Sequence, residues 1–251
     1  MSVTERLEVA LSAEDITVKF GGFVALDGVN LSVPSGQRRA IVGPNGAGKT
    51  TLINVLQGVI PPATGSISLF GEDVTDRPVW SRTRKGIART HQITNLFGEL
   101  TLAENVALAV HGLSPSRWVL HRRADRYLDV RAVSLERLEA AGLGNRADHK
   151  VLALSHGEQR QLELAMALAN GPRVLLLDEP AAGLSPAERG TMLTLLSAVP
   201  TSTTIVMIEH NIDLVRALAE EITVLHHGAV MASATPDEIQ ANDEVRQVYL
   251  T

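Results

Sequence analysis

Residues 43–50 read GPNGAGKT and match G-x-x-x-x-G-K-[ST] at every fixed position. A polyphosphate needs many donors at close range. Glycines let the backbone wrap it so that successive N–H groups face inward, and a helix starting directly behind adds its positive end. Gly43, Pro44, Asn45, Gly46, Ala47 and Gly48 are the expected cradle. Lys49 would reach the β- and γ-phosphates, the Thr50 hydroxyl would hold Mg²⁺, and Thr51 would donate to the α-phosphate.

Such a loop requires a metal carboxylate opposite it. The run RVLLLDE at 173–179 supplies Asp178 for the metal shell and Glu179 beside it. Adjacent side chains leaving a strand point different ways, so one carboxylate can serve the metal while the next polarises a water in line with the γ-phosphate. His210 closes a second apolar run, TTIVMIEH at 203–210, where it would donate a hydrogen bond to a γ-phosphate oxygen.

Residues 154–159, LSHGEQ, place a serine, a histidine and a glutamate within four positions. They cannot be a hydrolytic triad, because consecutive residues of one helical turn point outward in different directions. Ser155 and Glu158 fit the S-x-x-E capping box, and Leu162, Ala165, Met166 and Ala169 follow at helical spacing. The stretch is therefore a helix start, and an open helix N-terminus binds anions.

The elements that must position these residues are legible in the same pass. Residues 15–33 alternate around Gly21-Gly22 as two antiparallel strands. RRAIV at 38–42 reads as a strand, 43–48 as a loop and 49–57 as a helix closed by Gly58. SISLF (66–70) and GIART (86–90) read as further strands, and about 94–158 reads as helical, opened by a Thr101/Glu104 capping box. RVLLLD and TTIVMIE are continuous apolar runs of the kind buried in a parallel sheet. Strands alternating with helices predict an α/β core with a helical insertion.

The 251 residues allow one large α/β unit or two modest ones. No apolar run approaches the roughly 18–20 residues of a membrane-spanning helix, and MSVTERLEVA carries no signal-peptide pattern. With no cysteine, disulfides, thiolate zinc sites and cysteine nucleophiles are excluded. A net charge of -5 disfavours nucleic acid as a partner.

In chain order, GPNGAGKTT, the glutamine of RTHQITNLF, LSHGEQ before an amphipathic helix, LLLDEP and MIEH resemble the ATP-binding subunit of an ABC transporter, over about residues 10–250. FGGFVALDGVNL, RTHQ with LFGELTLAENV, DEPAAGLSP, MIEHNIDLV and the ending VYL are most similar to the subunits that energise uptake of branched-chain amino acids and related small solutes. The ATPases of lipopolysaccharide export share several of these stretches.

The resemblance implies a P-loop NTPase core of α/β class with an antiparallel β-subdomain and an inserted helical subdomain. It implies ATP and Mg²⁺ as cofactors, and two subunits closed head to tail over two ATP molecules. Two membrane permease subunits and a solute-binding protein would complete the machine, with the chain peripheral on the cytoplasmic face of the cell membrane. Phe20 matches the aromatic that stacks on adenine, and Gln92 the loop residue that touches Mg²⁺ and the attacking water. Glu179 matches the general base, His210 the γ-phosphate switch, and Ser155 with Gly157 the grip on the partner's ATP. A cassette acting on the ribosome or DNA is the competing reading; such proteins carry two cassettes per chain or a long coiled coil, and this sequence has neither. Three departures from the family pattern stand out: LSHGE in place of LSGGQ, His91 before Gln92, and Ser185 where aspartate is common.

Overall fold

The computed structural model describes residues 8–90, 96–112 and 124–249. Strands β1 (Val9–Phe20) and β2 (Phe23–Pro34) form the expected hairpin across the two glycines, and the first strand starts earlier than its alternation suggests. There follow β3 (Arg38–Val42), α1 (Lys49–Gln57), β4 (Thr64–Leu69), β5 (Glu72–Asp73), α2 (Val79–Arg84) and β6 (Ile87–Arg89). Helices α3 (Leu102–Gly112), α4 (Ala124–Ala140) and α5 (His156–Leu168) come next. The chain closes with β7 (Val174–Asp178), α6 (Pro186–Ser197), β8 (Thr204–Ile208), α7 (Ile212–Leu218), β9 (Glu221–His226), β10 (Ala229–Ala234), α8 (Pro236–Ala241) and α9 (Asp243–Tyr249).

Two sheets result. One is antiparallel, in the order β2-β1-β4-β5, and the other runs β10-β9-β3-β8-β7-β6, with every neighbouring pair parallel except β9 and β10. In the larger sheet the apolar runs are explained by burial on both faces: β7 and β8 are buried at all five positions. Val174, Leu176, Val206 and Ile208 face the layer containing α1 and the antiparallel sheet. Their neighbours Leu175, Leu177, Ile205 and Met207 face the layer containing α6, α7 and α8. A third cluster joins Leu102 and Val106 of α3, Leu138 of α4, and Leu162 and Ala165 of α5. Both halves of the Thr101/Glu104 box form: the Glu104 N–H donates to Thr101 Oγ1 at 3.2 Å and the Thr101 N–H to Glu104 Oε2 at 2.8 Å. Among the described residues no helix is long and apolar enough to cross a membrane.

Parallel registry sets the functional edge. Ile41 pairs with Ile208, and Asp178 pairs with the same residue from the other side. The loop after β3, the Asp178-Glu179 pair and the segment from Glu209 to His210 therefore leave the sheet side by side at the C-terminal ends of its strands, where α/β sheets bind ligands.

Helix α2 carries no sequence signal of its own, yet it anchors α1. The Arg82 guanidinium is 1% exposed. It donates to Val55 O and Leu56 O at 2.8 Å and to Arg77 O and Thr75 O at 2.9 Å. The first two are last-turn carbonyls of α1, at the negative end of the helix dipole, and Val55 O also accepts from the Gly58 N–H at 3.0 Å. Burial pushes the guanidinium pKa down, and the charges of Asp73 and Asp76 oppose that shift. Arg82→Met keeps the length and removes the guanidinium from four carbonyls, of which Val55 O alone keeps a helix-end donor, so the expected cost is roughly 3 kcal/mol or more, read as a lowered urea midpoint. An unchanged midpoint would show that water replaces the guanidinium at no cost.

Candidate functional site

The glycines of the loop after β3 are set by contact and backbone conformation. Gly43 has φ 148, and a Cβ there would lie 2.1 Å from Leu225 O. Gly48 has φ 101, and a Cβ there would lie 2.7 Å from Ala25 O. Gly48 is also the N-cap of α1, with no side-chain cap, so the first N–H groups of the helix stay open toward the loop. Lys49 Nζ folds back under the loop and donates to Gly43 O at 2.7 Å and Pro44 O at 2.9 Å. Burial pushes its pKa down, while the charges of Glu179 and Asp178 pull it back up.

A cleft of about 290 Å³ is lined by Asn45, Gly46, Ala47, Gly48, Lys49, Thr50 and Thr51 from this loop, by Phe20 and Phe23 from the hairpin, and by Glu179 and His210 from the sheet edge. The structure thus brings together most of the residues singled out above. Phe20 is 52% exposed instead of joining the core, and Phe23, given no role in the sequence reading, faces the same cleft at 64% exposure. These two rings are cross-strand partners at the hairpin tip, so one tight turn presents both. Gly43 and Pro44 lie beneath, as acceptors for Lys49. Gln92 and His91 lie outside the described residues.

Glu179 has φ 51, a left-handed conformation that costs a non-glycine residue on the order of 1 kcal/mol or more. Its N–H donates to Ile208 O at 2.9 Å, and its Oε1 lies 3.1 Å from His210 Nε2. His210 precedes the helix rather than starting it: Asn211 caps α7, accepting from the Leu214 N–H at 2.9 Å.

Asp178 is 2% exposed. Its Oδ2 accepts from Arg89 Nη2 at 2.8 Å, while Oδ1 is buried without a hydrogen-bond partner among the described residues. Arg89 also donates through Nη1 to Asn54 Oδ1 at 2.7 Å and Gln57 Oε1 at 2.8 Å on α1. The arginine therefore ties the carboxylate to the helix that begins with Lys49 and Thr50. Nothing in the stretch GIART marks it for this; its only signal is a charged residue in a strand otherwise set to be buried.

LSHGEQ forms as a helix start. Ser155 is the N-cap of α5, its hydroxyl accepting from the Glu158 N–H at 3.2 Å and its own N–H donating to Glu158 Oε2 at 2.8 Å. Glu158 also pairs with Arg146. Ser155 and Gly157 do not line the cleft. His156 Nε2 reaches Ala182 O at 3.4 Å.

Ser185, the third departure, has a local explanation. It caps α6, donating to Glu188 Oε2 at 2.7 Å through its hydroxyl. Glu188 in turn lies against Gly157, where a Cβ would come within 2.3 Å of its Oε1. Hydrogen bonds from the Ser185 hydroxyl and N–H, then from the Gly157 N–H, and the nearby His156 ring hold this carboxyl below its ordinary pKa.

Known proteins are similar to this chain in sequence and in fold. The family model described as ABC transporter matches residues 26–182. The chain is 36% identical over 249 residues to the high-affinity branched-chain amino acid transport ATP-binding protein BraF of Pseudomonas aeruginosa, covering 96% of this chain and 97% of that protein. The crystal structure of a nucleotide-free ATP-binding cassette from an ABC transporter superimposes with a TM-score of 0.84 at 28% identity, over 97% of this chain and 99% of that one. A dimeric post-hydrolysis cassette bound to ADP and Pi superimposes with a TM-score of 0.77 at 28% identity, over 90% and 98%. The matches in sequence to BraF and in fold to the nucleotide-free cassette run nearly end to end, and the chain belongs to the ABC transporter family as one of its ATP-binding cassettes.

Proposed function

We propose that this cassette drives the import of branched-chain amino acids or a related small solute through two membrane permease subunits, supplied by a solute-binding protein. It would act from the cytoplasmic face of the membrane. The observation that carries the ATPase part is the single cleft joining the phosphate loop, Glu179, His210 and two exposed phenylalanines. The solute class follows from the similarity to BraF.

In this reading Phe20 and Phe23 receive the adenine, a stacking contact worth roughly 1–3 kcal/mol per base. Residues 43–51 hold the phosphates, with Lys49 exchanging its loop carbonyls for phosphate oxygens. Glu179 takes a proton from the attacking water, and His210 donates to the γ-phosphate. The residues suit Mg²⁺: Asp178 Oδ1 is a buried hard oxygen without a partner among the described residues, and the Thr50 hydroxyl stands at the start of α1. With Gln92 they would hold the ion, which would supply positive charge against the phosphates. Ser155 and Gly157 would complete the second ATP site of a head-to-tail dimer.

The test is uptake. Cells carrying Lys49→Ala in this chain should accumulate radiolabelled leucine, isoleucine or valine about 10-fold more slowly or worse. Unchanged uptake alongside lost ATPase activity would overturn the amino-acid assignment.

A further inference from the structure

We propose that Glu209 is a positioning residue for hydrolysis, its buried carboxylate clamping the turn that carries Glu179 to the backbone that carries His210. The inference rests on the reading of Glu179 as the base and gives a role to the glutamate of MIEH, which the motif reading left without one.

Glu209 directly follows β8 and is 2% exposed. No Lys, Arg or His side chain pairs with it among the described residues. Its ligands are backbone donors instead. The Ala181 N–H donates to Oε1 at 3.2 Å and the His210 N–H to Oε2 at 2.9 Å. Burial raises its pKa, and the N–H groups of His210, Ala181 and Asn211 oppose that shift. A carboxylate is costly to bury, and it persists here because those donors replace water.

The two donors lie on the two segments that hydrolysis must keep in register. Ala181 is two residues beyond Glu179, in the turn whose first residue has φ 51. That turn is held at its start by the Glu179 N–H on Ile208 O, at 2.9 Å, and internally by the Ala182 N–H on Glu179 O, at 3.0 Å. Glu209 supplies the hold from the neighbouring strand at Ala181. With its second oxygen it fixes the backbone of His210, whose ring meets Glu179 Oε1 at 3.1 Å. One side chain therefore sets both ends of the Glu179–His210 contact. A strained conformation survives only where the surroundings over-determine it, and Glu209 is the side-chain part of that constraint.

The experiment compares Glu209→Gln with wild type. Glutamine keeps length and volume but turns one acceptor into an NH₂ group facing a backbone N–H. The expected result is a fall in kcat of roughly 10- to 100-fold with the KM for ATP within about two-fold, since misplacement by about 1 Å costs about that much rate. Hydrogen exchange should show faster exchange of the Ala181 and His210 amides, with the β3 and β7 amides as protected as in wild type. Should the glutamine variant not fold, Glu209→Asp, which keeps the charge and shortens the reach, carries the same readouts. An unchanged kcat overturns the proposal, as does a rate loss matched by lost ATP affinity and by loss of protection throughout the sheet. Glu179→Gln run in parallel separates the two readings. If it hydrolyses ATP normally, the base assignment has failed; if it is inactive while Glu209→Gln retains full kcat, only the positioning role has.

Discussion

Glu179→Gln is expected to lower steady-state ATP hydrolysis about 100-fold or more while leaving ATP binding at the wild-type level. The amide has the same shape, so the turn at φ 51 and the bond from the Glu179 N–H to Ile208 O should survive. What is lost is the ability to take a proton from water. Binding should persist because in the proposed reading the phosphate donors are residues 43–51, where Gly43 and Gly48 are held by their own close backbone contacts. The effect should appear in kcat with little change in KM, the signature of a group used only in the transition state. Turnover near wild type would sink the base assignment and return the catalytic role to a water held by other groups in the cleft.

The distribution of what was legible beforehand follows the range of the interactions. The loop, its strand and its helix occupy one contiguous stretch, and their order strand, glycine loop, helix is local information. The same holds for Ser155 and Glu158, whose two reciprocal bonds span three residues. Buried strands β7 and β8 announce themselves because a parallel sheet covered on both faces needs apolar residues at every position.

Residues with long-range roles gave no such signal. Arg89 meets Asp178 across 89 positions and Asn54 across 35. Glu209 meets Ala181 across 28, and only the strand order β8-β7 makes them neighbours. In one dimension each is merely a charged residue beside an apolar run. Strand β5, at two residues, and helix α2, at six, are too short to show a period; β5 is held by pairing with β4 and α2 by the hydrogen bonds of Arg82. Phe23 falls between these cases, because hairpin pairing puts it beside Phe20 once the turn is known.

Ser155→Arg is expected to leave ATP binding by the single subunit intact and to abolish ATP-driven dimerisation. Ser155 is exposed at the start of α5, and neither it nor Gly157 lines the cleft that holds Lys49. The substitution removes the cap, at a cost of about 1 kcal/mol, which a 13-residue helix packed through Leu162 and Ala165 withstands. The Glu188 carboxylate against Gly157 already shows that this helix end receives an anionic oxygen. In a head-to-tail pair the partner's γ-phosphate would be the anion presented there, and twofold symmetry would complete both sites at once. In that arrangement a long side chain at position 155 would fill the space the phosphate enters, so beyond the lost cap the penalty would fall on association. The measurement is light scattering with ATP in the Glu179→Gln background, where slow hydrolysis lets the closed dimer accumulate, together with fluorescent-nucleotide titration of the dilute protein. Dimer formation by Ser155→Arg, or loss of nucleotide binding by the single subunit, would each refute the role across the interface.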